Sequence, residues 1–256
     1  MTPLPVFIHI PKTAGTAFRS VIEKNVLPQN RVEIYRSGAK TLAEALWEQR
    51  EKMQTAEVVL GHIERRVHEF TDRPVIYFTI LRDPVERVLS LYKYIKYDFA
   101  KHPLHERFKS GEITLDKWIA SRPRMVSNVQ TKMVSGLATE YEPSTPAMLP
   151  VAIDALHHMA AVGIQERFNE SVRLICNALD WEPVLEDRNR SSMSNADFLS
   201  SADVSDETID RIRELNALDI ELYDFAVRSA DALEDTMSSP FAIRINAPMI
   251  ASPRGA

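Results

Sequence analysis

Five short apolar runs punctuate the chain: Val6–Ile10, Val32–Tyr35, Glu57–Leu60, Pro74–Leu81 and Ala161–Ile164. Each has the length of a strand, and near-continuous apolar character is what a strand buried on both faces requires. Between them the apolar residues recur at helical spacing. Phe18, Val21 and Ile22 share a face of a helix predicted from Thr16 to about Leu27. Leu42, Ala45, Leu46 and Gln49 share another within Lys40–Met53. Asp83 reads as a helix cap with Pro84 at the first helical position, followed by a stripe of Val85, Val88, Leu89, Tyr92 and Ile95. Residues 103–160 read as several short helices, Phe168–Leu179 as one more, and Ser205 as the cap of a final helical region with Ile209, Ile212, Leu215, Leu218 and Leu222 in register. Glu182–Ser201 is polar and reads as a long loop.

Strands alternating with helices predict an α/β fold, a central parallel β-sheet flanked by helices, with 103–160 as a helical insertion. The expected organisation is a single domain over 1–235 and a C-terminal tail over 236–256. Ligands of such sheets bind beyond the carboxyl ends of the strands. The three sharpest polar signals follow strands there: Pro11–Thr16, Gly61–His62 and Arg82–Asp83.

Composition narrows the options. With 31 Lys plus Arg against 36 Asp plus Glu, the net charge is -5, which excludes a nonspecific nucleic-acid binder but leaves room for a local anion site. The single cysteine, Cys176, excludes an internal disulfide and any multi-cysteine zinc site. His157 and His158 are adjacent, so a helix points them apart, and no metal site is expected. No apolar stretch reaches the length of a membrane span, and the N-terminus lacks a signal-peptide pattern. The expectation is a soluble, cytoplasmic protein with no membrane and no nucleic-acid partner; the oligomeric state is left open.

Two segments carry chemistry. His9–Thr16 (HIPKTAGT) joins a strand, a small-residue loop with one lysine, and a helix start. Backbone N–H groups at such a junction attract an anion, and Lys12 adds a charge for a terminal or bridging oxygen. The lysine precedes the glycine, unlike the GxxxxGK[ST] loop of nucleoside triphosphatases. In Thr79–Tyr94, Arg82 stands at a strand end and Ser90 about two turns into the next helix, on the face of Asp83. A guanidinium fork with a hydroxyl suits a phosphate. The bland alternatives are a tight turn with a solvated lysine and an Arg82–carboxylate pair.

Together these segments resemble the sulfotransferase family that includes heparan sulfate 2-O-sulfotransferase and its bacterial relatives. The resemblance implies a P-loop-like sulfotransferase fold and 3′-phosphoadenosine 5′-phosphosulfate (PAPS) as co-substrate, without a metal. It is strongest at residues 6–22 and 58–97, and fainter at Val162–Cys176. It implies that Lys12, Thr13, Ala14, Gly15 and Thr16 hold the 5′-phosphosulfate, and that Lys12 stabilises charge on the leaving phosphate. Arg82 and Ser90 would bind the 3′-phosphate, and Arg188, Asn189, Arg190 and Ser191 would close over the nucleotide.

His62, after Gly61, is the base that the resemblance implies, and an imidazole suits removal of a hydroxyl proton. Leu60 stands where the heparan enzyme has a second histidine. His9 is expected to be packed. The polar run Ser127–Lys132 is read as a solvated helix face rather than as an acceptor pocket. The expected acceptor is a small molecule or a glycan, sulfated on a hydroxyl. A nucleotide kinase is the alternative, though it should hold Mg²⁺ on an aspartate after a strand. A non-catalytic nucleotide-binding domain is the third reading. Animal members of the family are anchored in the Golgi membrane, and without an anchor signal this chain is expected to be of the soluble bacterial type.

Overall fold

The computed structural model of the chain describes residues 2–35, 41–139, 141–185 and 204–237. Five strands, β1 (Leu4–Ile8), β2 (Arg31–Ile34), β3 (Val58–Gly61), β4 (Val75–Leu81) and β5 (Ala161–Ile164), form one sheet in the order β2-β3-β1-β4-β5. Every pairing is parallel. Each strand lies within a residue or two of its apolar run, and β5 covers the same four residues.

The run-on apolar sequence of the strands is explained by the layers they separate. Leu4, Val6 and Ile8 of β1 point into one core cluster, and Phe7 points into the other. In β4, Val75, Tyr77 and Leu81 join the first cluster while Phe78 and Ile80 join the second. The second layer is completed by α1 (Gly15–Asn25) and α8 (Phe168–Leu179), through Phe18, Val21, Ile22, Val172 and Ile175. The first layer takes α2 (Leu42–Met53), α6 (Val129–Ser135), α7 (Met148–His157) and α10 (Ala217–Met237). A third cluster stands beside the sheet, where α3 (Pro84–Lys93) packs with α4 (His105–Lys109), α5 (Leu115–Ala120) and α9 (Asp206–Leu215).

Two expectations change. The final helical region is two helices, because the chain breaks at Asn216, whose backbone leaves the helical region (φ -121°). Its side chain bonds the Ile212 carbonyl and the amide of Asn128. The Ser127–Lys132 run is no solvated face: Gln130, Thr131 and Lys132 are fully buried. The Gln130 side chain pairs with the Arg82 backbone, Lys132 Nζ donates to the carbonyls of Arg124 and Glu142 (3.0 Å each), and the Gln130 and Thr131 amides donate to Asp219 of α10, while the buried Thr131 hydroxyl has no partner among the described residues. Helix α10 runs two residues past position 235, and residues 238–256 lie outside the described segments.

Candidate active site

Parallel pairing brings the three signalled loops to one edge. Ile8 of β1 lies opposite Gly61 of β3 and opposite Thr79 of β4, so His9 and His62 emerge side by side and Arg82 leaves the same edge two residues further on. The His9 amide donates to the Gly61 carbonyl at 2.9 Å, which extends the ladder by one bond. Gly61 itself is required by space: a Cβ there would sit 2.0 Å from the Ile34 carbonyl oxygen.

The loop after β1 is tightly wound. Lys12 and Ala14 both hold left-handed backbone, with φ of 69° and 65°. Neither is glycine, and each such position costs about 1–2 kcal/mol, strain of the kind that gathers at ligand-binding loops. The Thr13 hydroxyl is fully buried and donates to the Ile10 carbonyl at 3.0 Å, so it holds the loop together from inside. Thr16 is exposed on the first turn of α1. Gly15 has no room for a side chain, because a Cβ would lie 2.0 Å from the His9 ring.

Arg82 reaches this loop from β4. Its Nη1 donates to the Lys12 carbonyl at 3.3 Å, while its buried Nε has no partner. Burial pulls its pKa below the usual arginine range, against the opposing pull of Glu166, Glu86 and Asp83. The backbone of Arg82 is bracketed by one side chain: its N–H donates to Gln130 Oε1 (3.0 Å), and its carbonyl accepts from Gln130 Nε2 (2.8 Å). Asp83 caps α3 by accepting from the Glu86 amide at 2.9 Å. Ser90 lies two turns along α3, half-buried.

Lys12 turns its ammonium onto an aromatic ring, with Nζ 4.0 Å from the Tyr94 centroid. Burial and then the Arg82 charge lower its pKa, and Asp98 partly offsets them. Two cations thus converge where backbone N–H groups and the start of α1 also collect positive potential, an arrangement built for an anion.

The third loop carries the histidines. The half-buried His62 ring meets His9 edge-on at 4.8 Å and Tyr35 at 5.1 Å. The Tyr35 hydroxyl lies 3.0 Å from His9 Nδ1. His9 is 8% exposed, and burial, with help from His62, Arg19 and Lys12, depresses its pKa to about 3. It is neutral at physiological pH. His9 is packed, as expected, although it stands one residue past β1 rather than within it, and it also forms the wall behind His62 and over Gly15. That double contact was missed in the sequence; its only signal there is the six-residue spacing of His9 and Gly15 across one loop. Tyr35 and Tyr94 carry no sequence signal of this role, and Gln130, read as part of a solvated face, instead holds the Arg82 backbone. Arg188, Asn189, Arg190 and Ser191 lie outside the described residues.

Comparison with known proteins bears on the whole arrangement. Heparan-sulfate 6-O-sulfotransferase 1-B of Danio rerio is 26% identical over 271 residues, covering 86% of this chain and 64% of its own length. Heparan-sulfate 6-O-sulfotransferase 1 of Homo sapiens is 25% identical, with the same two coverages. These are 6-O enzymes, so the resemblance to the 2-O enzyme in particular is not borne out. The chain therefore spans just under two thirds of the length of these curated relatives. The solved structure of mouse sulfotransferase SULT7A1 complexed with PAP overlaps 72% of this chain and 61% of its own, at a TM-score of 0.39 and 10% identity, a likeness too slight to carry an argument. A family model described as "Sulfotransferase family" matches residues 5–226. That match runs from the first strand into the last helix and takes in all three strand-end loops: the chain belongs to the sulfotransferase family.

Proposed function

We propose that the protein transfers a sulfuryl group from PAPS to a hydroxyl of a carbohydrate acceptor. The observation that carries this reading is the meeting of two motifs that lie 70 residues apart, Arg82 Nη1 on the Lys12 carbonyl. A donor with a phosphosulfate at one end and a 3′-phosphate at the other needs anion sites on both loops at once. The residues fit it. The unpartnered, buried Nε of Arg82 leaves a guanidinium donor for the 3′-phosphate, with Ser90 on the adjoining helix. The backbone of Thr13–Thr16 and the hydroxyl of Thr16, an exposed residue, suit the 5′-phosphate.

PAPS supplies an activated sulfuryl group on a good leaving phosphate. Lys12 stabilises the charge that develops on that phosphate, as a half-buried cation placed beside it. His62 takes the proton from the acceptor hydroxyl. His9, neutral and bonded to Tyr35, keeps a second positive charge away from the imidazolium that His62 becomes. The Asp83 that a kinase would use as metal ligand commits one carboxylate oxygen to capping α3, which counts against the kinase alternative. The glycan acceptor rests on the names of the relatives.

The test is thermal stabilisation by 3′,5′-phosphoadenosine against ADP and 5′-AMP, with EDTA present throughout. Ligand at 100 times its Kd adds about 2.7 kcal/mol, a Tm rise of about 5–10 °C for a chain of this size. The rise is expected with 3′,5′-phosphoadenosine and not with the other two. No rise, or a rise only with ADP once Mg²⁺ is restored, overturns the reading in favour of the kinase.

A further inference from the structure

The Lys12 ammonium needs something to hold it before the donor arrives. A carboxylate in direct contact would do so, but it would also place an anion where an anion must bind. The sequence puts an aromatic ring there instead. Tyr94 opens a π-helical turn, Tyr94–Asp98, at the end of α3. Such a turn carries one residue more than an α-helical turn, rotates the side chains around it, and recurs at functional sites. The half-buried Tyr94 ring lies 4.0 Å from Lys12 Nζ on one side and stacks on Phe99, 5.4 Å away and tilted by 30°. The turn is closed by Phe99 N–H donating to the Tyr94 carbonyl at 2.9 Å, which sets the backbone from which both rings project.

We propose that Tyr94 is the positioning residue for Lys12: its ring face holds the ammonium at the mouth of the anion loop without competing for the donor. The proposal rests on the role given to Lys12 in the sulfotransferase reading. The ring quadrupole attracts a cation and presents nothing that repels a phosphosulfate. When the donor enters, its oxygens outbid a ring face for the ammonium, and Lys12 moves by rotation of its own side chain.

The charged and titratable groups facing Lys12, besides Tyr94 itself, are Arg82 just past β4, Asp98 from the π-helical turn and His9 just past β1. Arg82 and burial disfavour its protonated form, and Asp98 favours it. His9 is neutral and adds no charge. Tyr94 sides with Asp98, so deleting the ring makes the amine lose its proton at lower pH.

The experiment compares Tyr94→Phe, which keeps the ring face, with Tyr94→Leu and Tyr94→Met, which do not. Two quantities are measured. One is the titration of the Lys12 amine, followed by NMR after reductive ¹³C-methylation. The other is the pH profile of kcat/KM for PAPS. Expected is a phenylalanine variant within twofold of wild type. In the leucine and methionine variants the Lys12 titration and the alkaline limb both move down by about 0.5–1 pH unit, and turnover falls about five- to tenfold. In a Lys12→Ala background the Tyr94 substitutions should have no further effect on turnover. Equal behaviour of all three Tyr94 variants, or a phenylalanine variant as impaired as the leucine one, overturns the proposal. If the ring-dependent titration is seen while wild type shows no turnover with PAPS, the contact stands and the sulfotransferase reading is what fails.

Discussion

At Lys12 and His62 a single side chain carries a separable part of the proposed reaction. Lys12→Ala removes the charge aimed at the leaving phosphate, and His62→Ala removes the proton acceptor. Each is expected to lower turnover by about 10² or more, with the fold intact by circular dichroism. Turnover near wild type in His62→Ala, measured with the physiological acceptor, would sink the base assignment. Both residues could be picked out in the sequence because each lies within a contiguous loop after an apolar strand. Their neighbours could not. Tyr94 touches Lys12 from the far end of α3, and Tyr35 reaches His9 from beyond β2, so neither contact leaves a local pattern.

Among the elements, α6 and α10 cap each other. Asp219, wholly buried at the start of α10, accepts from the amides of Gln130 (3.0 Å) and Thr131 (2.7 Å). In return Asn128 Oδ1 accepts from the amides of Leu218 (3.0 Å) and Asp219 (3.2 Å). Each helix start thus receives the side-chain acceptor that its unpaired N–H groups need. Because Gln130 also brackets the Arg82 backbone, the last helix is tied to the anion site. Asp219→Ala strands two buried donors and is expected to cost about 2–4 kcal/mol in urea unfolding. Asp219→Asn keeps one acceptor and should cost less; equal loss in the two variants would mean that packing, not capping, is at stake. The strands were readable from their apolar runs, and β5 and α8 to the residue, whereas the break between α9 and α10 was not. The mutual cap was not. A polar run reads as solvated unless its partners are known, and here they lie about 90 residues downstream.

On the scale of the whole molecule, the neutral His9 makes stability depend on pH. In the unfolded chain its imidazole protonates near 6.5, but in the folded chain only near 3. Between those values the unfolded state holds more protons, so stability is complete above about pH 6.5 and falls as the pH drops towards 3. The loss reaches on the order of 4 kcal/mol if His9 acts alone. Urea midpoints at pH 7 and pH 4 should differ far less in His9→Phe than in wild type; equal differences would show that other groups govern acid unfolding. The tight fit of Gly15 under the same ring couples the two positions. A side chain at residue 15 needs the residue-9 ring to move or shrink, and a smaller residue 9 opens the wall behind His62. Bulk added to the loop after β1 therefore disturbs the histidine pair on the neighbouring loop.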